Sequence, residues 1–240
     1  MNNLYLRLVE ILINFIDEKN KNYIFDFLKN KSPKSELIIF DIGTHKGETL
    51  KIFLKNFNIK KIYCFEPNQK IFNILENNKK FKDKKISLFN FGFGDKQEYK
   101  KLNIFLDTSS STFNTINQKS GYFMRKNKIL SPFSNKFFSE SVVSKIETVS
   151  NFIVKNNIHK IDILKIDTEG YEYNILKGIK RTDFDKINYI YFEHHYDLMI
   201  EKKYKFSDID RLLSENNFKK VFKIKMKYRK TFEYIYEKKN

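Results

Sequence analysis

The sequence is poor in cysteine, tryptophan, proline and glycine: 240 residues contain one, none, three and seven of them respectively. A single cysteine excludes a disulfide framework, and Cys64 lies within the apolar run IYCF, where we expect a buried, inert thiol. No window reaches the stretch of about 18 apolar residues that a membrane span needs. The first residues are apolar at helical spacing but lack a basic region and a cleavage site. We therefore expect a cytoplasmic protein.

Basic residues outnumber acidic ones: the chain has 46 Lys and Arg and 29 Asp and Glu, which gives a net charge of +17. Such a charge suits nucleic acid or an anionic membrane. The prevalence of Lys, Asn, Ile and Phe, however, is typical of an AT-rich genome, and a solvated lysine surface is the simpler interpretation. We expect no nucleic-acid partner. Peripheral contact with the inner membrane surface stays open as an alternative. The sequence does not indicate an oligomeric state.

Apolar runs that end in turns alternate with segments that are apolar at helical spacing. The predicted strands are Leu37–Phe40, Lys61–Phe65, Ile86–Phe91, Ile161–Ile166 and Tyr189–Phe192, with a short strand at Tyr99–Phe105. The tail alternates apolar and basic residues and predicts two strands joined near Arg229. This order predicts an α/β fold with a Rossmann-like, mostly parallel, doubly wound sheet that ends in a C-terminal antiparallel hairpin.

The length of 240 residues suits one large domain with a sizeable core. Residues 1–35 are predicted to be an N-terminal helical extension packed on the domain, and residues 36–240 to be the domain itself. Residues 107–145 are polar and aromatic, show little periodicity and are too long for an ordinary connection, which favours a substrate or lid insert. Further helices are predicted at Glu147–Asn156 and Thr168–Lys180, and Ser207 is predicted as the N-cap of another.

The first strand ends in Asp41 and leads into a turn with two glycines, Gly43 and Gly47. A dinucleotide-binding turn would have a third glycine and no preceding acid, because an acid there would repel a pyrophosphate. An acid instead suits a ligand that carries an ammonium and a sulfonium, and that ligand is S-adenosylmethionine. We predict cofactor binding by Asp41, Gly43, Thr44 and Gly47. The alternative is an Asp41 that only caps the turn.

Glu66 ends the second strand about 20 residues past the turn, where a carboxylate can accept hydrogen bonds from both ribose hydroxyls. Its alternative role is to cap the turn at Pro67. The third strand leads into Asn90, Gly94 and Asp95, which we predict to lie near adenine, with glycine allowing close approach and Asp95 facing the exocyclic amine. A simple tight turn is the alternative.

Two strand ends carry candidates for proton handling. The stretch ILKIDTEGYEYNILKG places Asp167 and Glu169 at the carboxyl end of a strand, where ligands of open α/β sheets bind. Strand alternation sends Glu193 and His195 to one face and His194 to the other. We predict Asp167, Glu169 and His195 as catalytic, with His194 as an alternative base. One alternative is helix capping by Asp167 or Thr168, with Glu169 favoured there by the helix dipole. A divalent-metal site of Asp167, Glu193 and His195 is weighed but not predicted.

Taken together, these motifs resemble the FkbM family of S-adenosylmethionine-dependent methyltransferases over about residues 37–195. FDIGTHKGETL is similar to the family's VDVGANxGxxT, FEPNQKIFNIL to FEPxPxxxxxL, and NFGFGD to NxAxGD. LKIDTEGYEYNILKG matches LKIDVEGxExxVLKG almost throughout and is the specific match. The Leu-Asp-Asp-Phe-like segment that commonly precedes it is Val149-Ser150-Asn151-Phe152 here, without the two acids.

The resemblance implies the class I methyltransferase architecture, S-adenosylmethionine as cofactor and O-methylation of a hydroxyl. The implied acceptor is a sugar, a glycan precursor or a related small metabolite. Two alternatives from other classes stay open at this point. One is an RNA or protein methyltransferase that uses the basic surface, and the other is a noncatalytic cofactor-binding scaffold.

Overall fold

The computed structural model describes residues 20–32, 35–105, 111–130, 138–227 and 230–239. In chain order the elements are α1 (20–31), β1 (Leu37–Ile42), α2 (Glu48–Asn56), β2 (Ile59–Phe65), α3 (Gln69–Glu76), a 3₁₀ turn (Lys79–Phe81), β3 (Ile86–Phe89), β4 (Gly92–Phe93), β5 (Glu98–Phe105), β6 (Thr115–Ile116), α4 (Gly121–Leu130), β7 (Phe138–Glu147), α5 (Val149–Lys155), β8 (Ile161–Ile166), α6 (Glu172–Lys177), α7 (Arg181–Phe184), β9 (Ile187–His195), β10 (Ile200–Glu201), α8 (Phe206–Glu215), β11 (Phe218–Lys225) and β12 (Thr231–Lys238).

A seven-stranded sheet in the order β11-β12-β9-β8-β1-β2-β3 organises the fold. Strands β1, β2, β3, β8 and β9 run parallel, and β12 is antiparallel to both β9 and β11. The predicted mostly parallel sheet and its C-terminal hairpin are confirmed. Because β1 has β2 on one side and β8 on the other, the strand order reverses there and opens a crevice at the carboxyl ends.

Helices cover both faces of this sheet, which explains the unbroken apolar runs of its central strands. All six residues of β8 are buried. One face packs Phe40 and Phe65 of β1 and β2 against Phe152 of α5, with ring centroids 5.0–5.6 Å apart. On the other face, Phe25 of α1 packs edge-on against Phe53 of α2. The described part of the N-terminal segment therefore contributes to the core.

The predicted insert at 107–145 contains regular structure that its composition did not indicate. Strand β7 pairs with β5 along almost its full length, and the two form a three-stranded sheet with β4. The serine-rich sequence of β7 hid its alternation. The strand continues through Glu147, so the helix predicted to begin there begins at Val149, after Thr148 accepts a hydrogen bond from the Asn151 amide. Residues 131–137 and 106–110 lie outside the described residues.

Two other predicted helix boundaries are wrong. The helix predicted at Thr168–Lys180 is confined to α6, because Glu169 and Gly170 adopt φ values of 51° and 88°, which no helix accommodates. Helix α8 has its N-cap at Lys205 rather than Ser207, and the Asp208 carboxylate accepts a hydrogen bond from the Lys205 amide at 2.8 Å. The predicted N-terminal helical extension, residues 1–35, lies partly outside the described residues, which begin at residue 20.

None of the helices in the described ranges is long and apolar enough to cross a membrane.

Candidate active site

The turn after β1 is shaped by two glycines with positive φ, 81° at Gly43 and 84° at Gly47. A Cβ on Gly43 would lie 1.9 Å from the carbonyl oxygen of Asp167, and one on Gly47 would lie 2.6 Å from the Phe81 ring. The glycines thus let the turn approach the end of β8 and the 3₁₀ turn. The amides of Gly43 and Thr44 donate to the Phe65 carbonyl at 3.0 and 3.1 Å, which joins the turn to β2.

Asp41 lies fully buried under this turn, where its Oδ1 accepts a hydrogen bond from Lys165 Nζ at 2.9 Å. Lys165 Nζ also lies 3.5 Å from Asp167 Oδ2. Burial by itself lowers the pKa of Lys165, but the charges of Asp41 and Asp167 outweigh it and raise that pKa, so the amine is charged. Asp41 Oδ2 is buried and has no hydrogen-bond partner among the described residues. The sequence reasoning missed Lys165, although a lysine inside an otherwise apolar strand was a usable signal.

Glu66 connects the second strand to the same turn. Its Oε2 accepts from the His45 amide at 2.9 Å and its Oε1 from the Asn68 amide at 2.8 Å. Burial raises the pKa of Glu66, and these amides oppose the shift. Asn90 joins the group because its Nδ2 donates to the Glu66 carbonyl at 2.9 Å. A carboxylate has about four acceptor positions, so Glu66 caps the turn and keeps positions for a ligand.

Gly94 and Asp95 contact other parts of the molecule. Asp95 Oδ2 lies 3.4 Å from Lys177 Nζ, and Asp95 lines a cavity of about 330 Å³ that includes Thr148 but none of the predicted cofactor residues in the β1 turn. A Cβ on Gly178 would lie 2.1 Å from the Gly94 carbonyl oxygen, so Gly94 packs against the end of α6. Their predicted contact with adenine stays a prediction that these contacts do not support.

The ends of β8 and β9 bring Glu169 and His195 together. His195 Nε2 lies 3.2 Å from Glu169 Oε2 and 4.0 Å from Glu193 Oε1, and its Nδ1 lies 3.4 Å from Asp197 Oδ2. The left-handed backbone at Glu169 is strained for a residue with a side chain, and such strain concentrates at functional sites. Thr112 Oγ1 donates to the Glu169 carbonyl at 2.8 Å and supports this conformation.

The buried pair has strongly shifted proton affinities. Burial raises the pKa of Glu169 to about 7, although the charge of His195 pulls the other way. Burial alone would lower the pKa of His195, but the Glu169 and Glu193 carboxylates outweigh it and, with Asp197, raise that pKa to about 10. Near neutral pH, His195 is therefore charged, and Glu169 is close to the pH at which it exchanges its proton.

Glu233 is a buried acid that the sequence reasoning missed. It lies directly opposite Glu193 in the β12–β9 register. Burial and the charges of Glu193 and Asp167 raise the pKa of Glu233 to about 8. Only the pairing of the C-terminal hairpin with β9 brings it to the site, and no motif marks it.

Across the described ranges, no three His, Cys, Asp or Glu side chains are arranged to hold a metal ion. Asp167, Glu193 and His195 are among these residues and are not arranged as a metal site in the structure. Asp167 lies instead against Lys165, and His195 is enclosed by carboxylates.

The strand order, the glycine turn and the acids at the carboxyl ends define the fold of class I S-adenosylmethionine-dependent methyltransferases. A sequence model of the Methyltransferase FkbM domain matches residues 41–220. The chain belongs to the FkbM methyltransferase family, and its cofactor is S-adenosylmethionine. The resemblance read from the four motifs and the predicted fold class are therefore confirmed.

Two solved structures are similar to this chain at low sequence identity. An FkbM methyltransferase from Methylobacillus flagellatus KT is 16% identical with a TM-score of 0.53, over 85% of this chain. This chain spans 44% of the length of that protein. M. capricolum TrmK, solved with S-adenosyl-homocysteine, is 14% identical with a TM-score of 0.49, over 91% of this chain and 69% of its own. No curated protein matches the sequence.

Proposed function

We propose that the protein transfers a methyl group from S-adenosylmethionine to a hydroxyl of a sugar, a glycan precursor or a related small metabolite. The observation that carries this proposal is the pair of Glu169 and His195, 3.2 Å apart at the carboxyl ends of β8 and β9. An acid that titrates near neutral pH, buried beside a cation, is suited to take a proton from a hydroxyl. Proton transfer of this kind is what O-methylation requires.

The residues around the β1 turn fit the cofactor. The unpartnered buried Oδ2 of Asp41 suits an ammonium group, and the remaining acceptor positions of Glu66 suit ribose hydroxyls. Gly43, Thr44 and Gly47 would shape the wall between them, with Asn90 beyond Glu66. When bound, S-adenosylmethionine supplies an electrophilic methyl group on a sulfonium.

The chain's own residues then position the hydroxyl and receive its proton. The Glu169 carboxylate takes the proton as the hydroxyl oxygen bonds to the methyl carbon and the carbon–sulfur bond breaks, giving a methyl ether and the thioether product. His195 keeps its charge throughout, stabilises the ionised form of Glu169 and holds it in place. Asp167 acts through Lys165, which it contacts at 3.5 Å. Alignment of the two reactants supplies most of the rate enhancement.

The proposal has a two-stage test. Calorimetry should show saturable binding of S-adenosylmethionine and S-adenosylhomocysteine but not of NAD. Mass spectrometry should then find a methylated product in a panel of sugars, nucleotide sugars and glycan precursors. Glu169→Gln should lower kcat by about 10²-fold to 10⁴-fold, the range of general-base catalysis, with unchanged cofactor affinity.

The matched control is Glu215→Gln, which changes an exposed carboxylate on α8 and should leave kcat unaffected. Methyl transfer to RNA or protein with no transfer to any glycan would contradict the acceptor class. If the protein binds the cofactor but transfers no methyl group to any acceptor, and Glu169→Gln leaves the cofactor affinity unchanged, the protein would be a noncatalytic scaffold.

A further inference from the structure

We propose that a cleft at the end of β9 is the acceptor subsite and that it stacks a pyranose ring on Tyr196. The cleft has a volume of about 620 Å³ and is lined by His194, His195, Tyr196, Lys202, Tyr204 and Phe206, among other residues. Small-molecule sites are typically about 300–1,000 Å³, so a sugar fits. This inference rests on the proposed function, because it names the site for the hydroxyl that Glu169 would deprotonate.

The cleft shares a wall with the Glu169 pair. His195 lines it, and the same ring lies 3.2 Å from Glu169 Oε2. Tyr204 also lines it, and its Oη lies 2.9 Å from both the Gly170 carbonyl oxygen and Glu172 Oε2. Tyr204 is therefore fixed to the loop that carries Glu169. A ring in the cleft would lie against His195, which contacts the proposed base Glu169.

Aromatic rings form a fixed platform in this cleft. The Tyr196 and Phe206 rings lie 4.8 and 5.4 Å from the His194 ring, centroid to centroid. The Tyr196 Oη lies 2.8 Å from the Tyr234 Oη, which holds the tyrosine in place, yet Tyr196 is 45% exposed. A held, half-exposed aromatic ring suits the C–H face of a pyranose, whose axial hydrogens pack against the negative π-face.

His194 supplies a neutral polar group on the same wall. Only 3% of the residue is exposed, and its Nδ1 has no hydrogen-bond partner among the described residues. Burial lowers the pKa of His194 to about 3, and the neighbouring charges of Lys202 and His195 act in the same direction. A neutral imidazole has one donor and one acceptor nitrogen, which is the complement of a sugar hydroxyl.

The test is saturation-transfer NMR on the full chain with S-adenosylhomocysteine present. The probes are methyl glycosides of glucose, galactose, mannose, rhamnose and N-acetylglucosamine. Mannitol is the control ligand because it has hydroxyls without a ring face, and uridine tests for a nucleoside. We expect transfer to the ring protons of at least one pyranoside and none to mannitol.

Two substitutions locate the binding. Tyr196→Leu should weaken the pyranoside by about fivefold to tenfold, the range of an aromatic contact, whereas Tyr196→Phe should retain it. Tyr99→Leu removes a 76% exposed tyrosine on β5 and is the matched control. Because the chain has no tryptophan, Leu198→Trp at the rim gives a single indole whose fluorescence should change with the same sugar.

Calorimetry with S-adenosylmethionine separates this inference from the proposed function. Unchanged cofactor affinity in Tyr196→Leu, together with lost pyranoside signals, supports the subsite. Equal pyranoside signals in wild type and Tyr196→Leu would overturn it, and so would uridine binding in place of every pyranoside or the absence of any sugar signal. Failed cofactor binding by the wild type would instead refute the proposed function.

Discussion

Lys165→Met would test the buried charge pair beneath the cofactor turn. Lys165 is 2% exposed and Asp41 is fully buried, so the 2.9 Å contact between them is shielded from water. Methionine keeps the apolar stem and removes the charge, which leaves the carboxylates of Asp41 and Asp167 without their cation. Breaking a buried pair in this way costs about 3–5 kcal/mol.

Urea denaturation at pH 7 measures this loss. With a slope of about 3 kcal/mol per molar, the midpoint should fall by about 1–1.7 M at constant slope. Asp41→Asn should cost less, because Lys165 keeps Asp167 at 3.5 Å. The double variant Asp41→Asn/Lys165→Met should regain part of the stability, because both members of the pair are then uncharged although Asp167 still lacks its cation.

The pH dependence gives a second measurement of the same pair. Burial alone would raise the pKa of Asp167, but the charge of Lys165 outweighs it and lowers that pKa below its ordinary value of 3.8. A lowered carboxyl pKa stabilises the fold above that value, and the contribution is lost as pH falls. The difference in the free energy of unfolding between wild type and Lys165→Met should therefore become smaller as the pH is lowered. A loss below about 1 kcal/mol at pH 7, or a double variant no more stable than Lys165→Met, would refute the reasoning.

Three further predictions concern the turn, the base and the charged surface. Gly43→Ala should prevent cofactor binding and destabilise the protein by more than about 1 kcal/mol, since its Cβ would meet the Asp167 carbonyl. Gly121→Ala is the control, because a Cβ there meets no other atom within 4 Å. Calorimetry and urea titration of both variants check this. The rate of methyl transfer should rise with pH through about 7 as Glu169 ionises and fall near 10 as His195 loses its proton, and a flat profile would count against the pair. RNA should bind weakly or not at all in a filter assay, whereas tight binding that weakens steeply with added salt would favour an RNA acceptor held by the basic surface.

Apolar patterning predicted the central sheet because its strands are buried on both faces and read as unbroken apolar runs. Strand β8 is the clearest case. The same patterning failed at β7 in the three-stranded sheet, where Val143 is exposed and three serines, Ser139, Ser141 and Ser144, interrupt the apolar pattern. The loop at Glu169 was not predicted either, because good helix formers follow it in the sequence while its backbone adopts a left-handed conformation.

The lysines of strand β11 contribute to the high net charge, and the structure shows where they lie. Lys219, Lys220, Lys223 and Lys225 are exposed on the edge strand of the main sheet. Charged side chains on an edge prevent pairing with other chains. Their placement supports the interpretation of the basic tail as a solvated surface, while partner binding stays a matter for the salt titration.

The sequence by itself determined the alternation of strands and helices, the glycine turn, the acids at the strand ends and the family. These features depend on neighbours along the chain, and local patterns record them. Only the tertiary structure decided that Lys165 neutralises Asp41, that Glu233 faces Glu193 and that His195 retains a proton. Each of these depends on charges far apart in sequence meeting in a buried place, where low polarity strengthens their interaction.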